Sequence, residues 1–183
     1  MNSPRILVAG IGNIFMGDDG FGCEVAARLA QRSLPLAVRV IDFGIRSLDL
    51  TYAMLEDYQA VILIDAMPRS GVPGTLYVLK PEPLPGHHQA ELDGHSMDPM
   101  KVLQAVAQLG GHVESTLIVG CEPTPRDPDA EWEMRLSPPV SAAVPEAVEL
   151  ISTLIHDILS AGNRLADIQS PGGMDHESLI AGR

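Results

Sequence analysis

Positive charge is the scarcest feature of this 183-residue chain: 12 Lys and Arg stand against 24 Asp and Glu, a formal net charge of -12 at pH 7. Such a chain repels polyphosphate, and no basic cluster stands out along it, so nucleic acid and anionic membrane surfaces are poor partners. A protein, a metal or a small molecule fits better. Cysteine is nearly absent. Cys23 and Cys121 lack C-x-x-C spacing, which argues against a zinc knuckle or a disulfide framework and leaves two buried small hydrophobes. Aromatic residues make up only 4% of a chain that is 45% hydrophobic, so Val, Ile, Leu and Ala must build the core, as in an α/β fold and unlike an aromatic-rich barrel or sandwich. Long apolar runs are missing too. The first is far too short to cross a bilayer, and the N-terminus lacks the charged, apolar and small-residue order of a secretory signal, so a cytoplasmic location is expected. No G-x-S-x-G follows any candidate strand, which removes the serine-hydrolase reading. The length suits one domain with a sizeable core. It is expected over residues 1–162, with a polar, Gly-containing tail at 163–183 expected to be mobile.

What is present alternates in a regular rhythm. The apolar runs ILVAGI (6–11), VRVIDF (38–43) and AVILID (60–65) are separated by helical stretches at 21–32, where Val25, Ala26 and Leu29 share a face, and at 48–58, where Leu50, Met54 and Leu55 recur at helical spacing. This β-α-β-α-β order predicts a parallel sheet. A fourth strand, TLYVLK (75–80), follows the third across a short Pro and Gly link with no room for a crossover helix, so it is predicted antiparallel at an edge. Residues 81–98 read as a loop carrying His87, His88 and His95. Pro99 then opens a helix to Leu109, stopped by Gly110 and Gly111. STLIVG (115–120) is the fifth strand, a long connection without regular structure follows, and a closing helix is predicted over 140–159 with Pro145 near its first turn.

In an open α/β sheet, ligands collect at the carboxyl ends of the strands, where loops converge and helix N-termini point. The stretch GNIFMGDDGFG (12–22) puts Asp18 and Asp19 there. The second strand ends on Asp42, the third on Asp65, and the histidine loop precedes the third helix. Singly, each has an ordinary explanation. An Asp before a helix is commonly an N-cap, Asp42 and Asp65 could start turns, and His87 and His88 read as solvated side chains. Together they are harder to dismiss, because clustered carboxylates repel unless a cation, a proton or hydrogen-bond donors offset them. Two carboxylates and an imidazole would suit nickel, zinc or a similar ion. A dinucleotide site is disfavoured: Phe15 stands where G-x-G-x-x-G needs glycine, and an acid pair would repel a pyrophosphate.

On these residues the chain resembles the hydrogenase maturation endopeptidases, which trim the C-terminal extension of the large subunit of NiFe hydrogenases. The likeness rests on GIGNIFMGDDGFG (10–22), DFGIRSLDL (42–50), ILIDA (62–66) and GHSMDPMKVLQAV (94–106), with VGCEP (119–123) and LSPPV (136–140) resembling the last strand and the entrance to the last helix. Phe43 departs from the glycine usual in the family. The resemblance implies a three-layer α/β/α sandwich, phosphorylase/hydrolase-like, with a five-stranded mixed sheet in order 2-1-3-5-4 and strand four antiparallel. It implies a metal-contacting trio of Asp19, Asp65 and His95, with Asp18 as a cap or supporting group and Asp42 as a further candidate. It also implies a hydrogenase large-subunit precursor as protein substrate and a monomeric enzyme. Nickel would be carried by the substrate, the trio reading it as a checkpoint while the free enzyme stays metal-free. A resident hydrolytic metal on the same trio, activating water toward a pKa of ~7, is the competing version. A non-catalytic, nickel-dependent chaperone or docking protein for the same subunit is the alternative function.

Overall fold

Aliphatic and β-branched runs make the strands of the computed structural model, which describes residues 6–56, 58–81, 98–111, 115–126 and 134–160. The strands are β1 (Ile6–Ile11), β2 (Val38–Gly44), β3 (Ala60–Ala66), β4 (Leu76–Leu79) and β5 (Ser115–Cys121). They form one sheet in the order β2-β1-β3-β5-β4. The β1–β2, β1–β3 and β3–β5 pairs are parallel, and β4 runs antiparallel to β5. This is the order the resemblance implies, and β4 runs antiparallel at the edge, as the link from β3, too short for a crossover, predicts.

The interior strands are apolar at nearly every position because both faces are covered. Ile6, Val8, Ile62, Ile64 and Val119 enter one core with α1 (Phe21–Leu29) and α4 (Pro138–Ser160). The alternate residues Leu7, Ala9, Ile11, Val61, Leu63 and Ile118 enter a second core with α2 (Ser47–Met54) and α3 (Pro99–Gln108). The period-two alternation of a strand thus divides one hydrophobic run between two helical layers.

Several helix ends differ from expectation. α1 stops at Leu29, where Gln31 and Arg32 donate to Arg28 and Leu29 carbonyls three residues back, so the last turn tightens and ends. α2 stops at Met54, again in three-residue turns. Leu55, read from sequence with the buried face, is 37% exposed, whereas Leu50 and Met54 are buried. α4 begins at Pro138, earlier than predicted, because Pro138 and Pro139 lack the N–H groups that a first turn leaves unbonded and have φ preset for a helix. Pro145 therefore sits inside α4 and not near its first turn. α3 starts at Pro99 as predicted and ends at Gln108, one residue before the expected Leu109, with Asp98 Oδ1 accepting from the Met100 N–H at 2.9 Å and Gly110 in the left-handed region at φ 77°. Among the described residues no helix is long and apolar enough to cross a membrane.

Candidate functional site

The turn that leaves β1 is folded back on itself by two glycines. Gly12 has φ 129°, and a Cβ there would lie 1.8 Å from the Asp19 carbonyl oxygen; at Gly22 it would lie 2.1 Å from the Ile64 oxygen and 2.3 Å from the Ile11 oxygen. Only bare backbone lets α1 press its first turn onto the ends of β1 and β3. A short 3-10 turn, Gly17–Gly20, carries the acid pair into this junction.

The two acids then part company. Asp19 turns toward the end of β1, where its Oδ2 accepts the Asn13 N–H at 2.7 Å. Asp18 turns toward the β5–α4 connection. Its carboxylate accepts the Thr124 N–H at 2.8 Å, the Ser137 N–H at 2.6 Å and the Ser137 hydroxyl at 2.8 Å. Neither the 3-10 turn nor α1 has a side-chain cap. The N-cap expected of Asp18 is thus replaced by a tie between distant loops.

Asp65 ends β3 and is only 6% exposed. Its Oδ1 accepts the Ala66 N–H at 2.8 Å. Burial pushes its carboxyl up to about 8, the charge of Asp19 adds to the effect, the Ala66 N–H opposes it, and Asp98 raises it further. Asp19 and Asp65 therefore stand close enough to repel, the turn after β1 having brought Asp19 back toward the sheet end. Cys23 adjoins the same acids. Its thiol, 3% exposed, donates to the Gly12 oxygen at 3.4 Å. It is pushed up to about 12 by burial, by contact with Asp42 and by the charges of Asp42, Asp19 and Asp65. It is an inert small hydrophobe, as is Cys121.

Asp42 lies at the exposed end of β2, its Oδ1 accepting the Gly44 N–H at 2.9 Å, with Gly44 at φ 56°. Phe43, the departure from the family pattern, is buried in the second core beneath Arg46, whose guanidinium lies 6.0 Å from the ring centroid and donates to the Phe43 and Asp42 carbonyls. The third predicted trio member, His95, lies outside the described residues, as do His87 and His88. Among the described residues no three His, Cys, Asp or Glu side chains form a metal-holding group.

Sequence reasoning missed Glu122. This carboxylate, 4% exposed, follows β5 and accepts the Arg69 N–H at 2.9–3.0 Å and the Tyr77 hydroxyl at 2.8 Å. Burial pushes its acid up, but Tyr77 and the N–H groups of Arg69, Gly71 and Ser70 outweigh it and hold it below the ordinary value. The chain after Asp65 is wrapped around this anion, with Ser70 at φ 61°. A Glu directly after a strand carries no local signal for such a role. The start of α3 was legible, by contrast, from Pro99.

Comparison with known proteins decides the family. The sequence profile described as "Hydrogenase maturation protease" matches residues 23–154. The chain belongs to the hydrogenase maturation protease family. A Methanocaldococcus jannaschii relative, whose name provisionally marks it as a hydrogenase maturation protease, is 33% identical over 157 residues, covering 82% of this chain and 96% of its own. The Escherichia coli hydrogenase 2 maturation protease is 27% identical, with 84% and 92% covered. The solved hydrogenase maturating endopeptidase HybD of E. coli superposes with a TM-score of 0.66 at 28% identity, over 84% of this chain and 93% of that one. Members of this family are peptidases, and the sheet order matches theirs.

Proposed function

We propose that this protein is the endopeptidase that removes the C-terminal extension from a nickel-loaded NiFe hydrogenase large-subunit precursor, and that Asp19, Asp65 and His95 contact the nickel its substrate carries. The observation that bears most weight is Asp65. A carboxyl held near 8 by burial and by the neighbouring charge of Asp19 is a group whose ionised form is short of positive charge. A divalent ion arriving with the substrate supplies that charge. Carboxylate oxygens and an imidazole nitrogen form a donor set suited to nickel. His95 precedes Asp98 by three residues, so the chain tethers it within about 11 Å of that helix start, and Asp98 is already close enough to raise Asp65. Asp19, fixed by the Asn13 N–H, and Asp65, at the end of a rigid strand, need little rearrangement to grip an ion and hold the adjoining peptide bond in place.

Mass spectrometry of the large subunit before and after incubation tests the proposal, since an enzyme shortens the precursor and a chaperone does not. Nickel-loaded precursor should lose its extension and nickel-free precursor should not. Folded Asp19→Asn, Asp65→Asn and His95→Ala proteins should leave it full-length. Wild-type rates in all three variants would overturn the site assignment. Binding without shortening would favour the docking-protein alternative.

A further inference from the structure

Helix α2 is apolar on two sides. Leu50, Thr51 and Met54 turn inward and are buried, whereas Leu48, Tyr52 and Leu55, at helical spacing of four and three, form a second stripe exposed by 46%, 64% and 37%. Single exposed hydrophobics are ordinary, but a helix stripe with more apolar surface at its upper end is not. Ile45, 45% exposed, precedes the helix; Ile14 and Phe15, 51% and 58% exposed, lie on the turn after the neighbouring strand β1. The two loops are joined where the Gly12 N–H donates to the Gly44 carbonyl at 3.1 Å. The band therefore starts at the sheet end that carries Asp19, Asp42 and Asp65 and continues along the outer face of α2.

We propose that this band is the seat of the protein substrate, and that it receives a segment of the precursor with apolar side chains beside Lys or Arg. The inference rests on the function proposed above and adds how the partner is held. Charge selects this occupant. Two cations whose pairs flank α2 are engaged: Arg46 with Asp49 at 3.6 Å and Arg39 with Glu56 at 3.3 Å. Asp42 remains exposed at the band's upper edge. A second copy of this chain would bring another net charge of -12 against the first, whereas a basic and apolar segment satisfies both the stripe and the acids. Position agrees, because a bond brought to Asp19 and Asp65 needs its flanking chain seated alongside.

The test uses nickel-loaded precursor and a Leu48→Ser, Tyr52→Ser double variant, both changes being at exposed positions, with a melting curve to show that the fold persists. A Phe15→Ser variant on the other loop serves as a second probe. Cleavage kinetics should show KM raised about tenfold with kcat nearly unchanged. The Kd for precursor, measured separately, should weaken by a similar factor. Unchanged KM and Kd in both variants overturn the docking seat, even if wild type cleaves normally. If wild type fails to cleave, the proposed function falls, and the Kd comparison still decides the seat. A wild-type dimer that the double variant converts to monomer, at unchanged KM, would reassign the band to self-association and likewise refute the proposal.

Discussion

Replacing Asp65 by Asn should make the protein more stable and inactive, with a pH signature that identifies the cause. In the folded chain the Asp65 carboxyl titrates near 8, against an ordinary 3.8. Below the ordinary value it is protonated in both folded and unfolded chains and contributes no difference. Between the two values the unfolded chain has released the proton while the folded chain retains it, so unfolding gains favour as pH rises. Above 8 the full penalty of an ionised, buried carboxylate beside Asp19 is present. With about 1.4 kcal/mol for each tenfold change in proton affinity, the penalty has a ceiling on the order of 5 kcal/mol, which local relaxation and water entry reduce. Asn retains the oxygen that accepts the Ala66 N–H and removes the charge. Urea unfolding from pH 4 to 9 should therefore show wild type losing stability toward alkaline pH and Asp65→Asn losing less, the gap opening above about pH 4, widening up to about pH 8 and levelling off beyond it. Added nickel should recover part of the wild-type loss at pH 8 and do little for the variant. Parallel pH curves for the two proteins would show that the Asp65 charge is not strained, and the electrostatic argument for a cation at this site would be refuted.

Other substitutions probe the frame around the site. Asp18→Asn should weaken the tie to Thr124 and Ser137 and destabilise by about 1.5–3 kcal/mol, as for hydrogen bonds to a charged group, in chemical denaturation; the folded variant should still cleave precursor, and loss of cleavage at unchanged stability would make Asp18 part of the site. Gly22→Ala puts a methyl 2.1 Å from the Ile64 oxygen, so α1 must lift from the sheet; circular dichroism melting should fall by about 4–8 °C or more, the shift that about 2 kcal/mol gives in a domain of this size, and an unchanged melt would contradict the close approach. Cys23 and Cys121, buried with thiols pushed up to about 12, should resist iodoacetamide at pH 8 until the chain is unfolded; rapid labelling would place either thiol at the surface.

Local residue chemistry was enough to read much of this molecule. Apolar runs of strand length, the Pro and Gly link too short for a crossover, and Pro99 at a helix start are local signals. They set the five strands, the antiparallel run of β4 and the start of α3, because strand periodicity, loop reach and proline geometry act within a few residues, whereas the order β2-β1-β3-β5-β4 was implied by the resemblance to a known family. The gathering of acids at one sheet end was legible for the same reason, since parallel strands must all finish on one side. Tertiary structure decided what those acids do. Asp18 looked like a cap and instead accepts hydrogen bonds from residues 106 and 119 positions away. Glu122 had no local signal and organises the chain after Asp65 through partners 45 and 53 positions away. Leu55 was read with Leu50 and Met54 and instead faces outward, because its position around the helix continues the exposed side of Leu48 and Tyr52. The proton affinity of Asp65 likewise follows from its surroundings: burial and a neighbour from the turn after β1 set a field that no stretch of sequence contains.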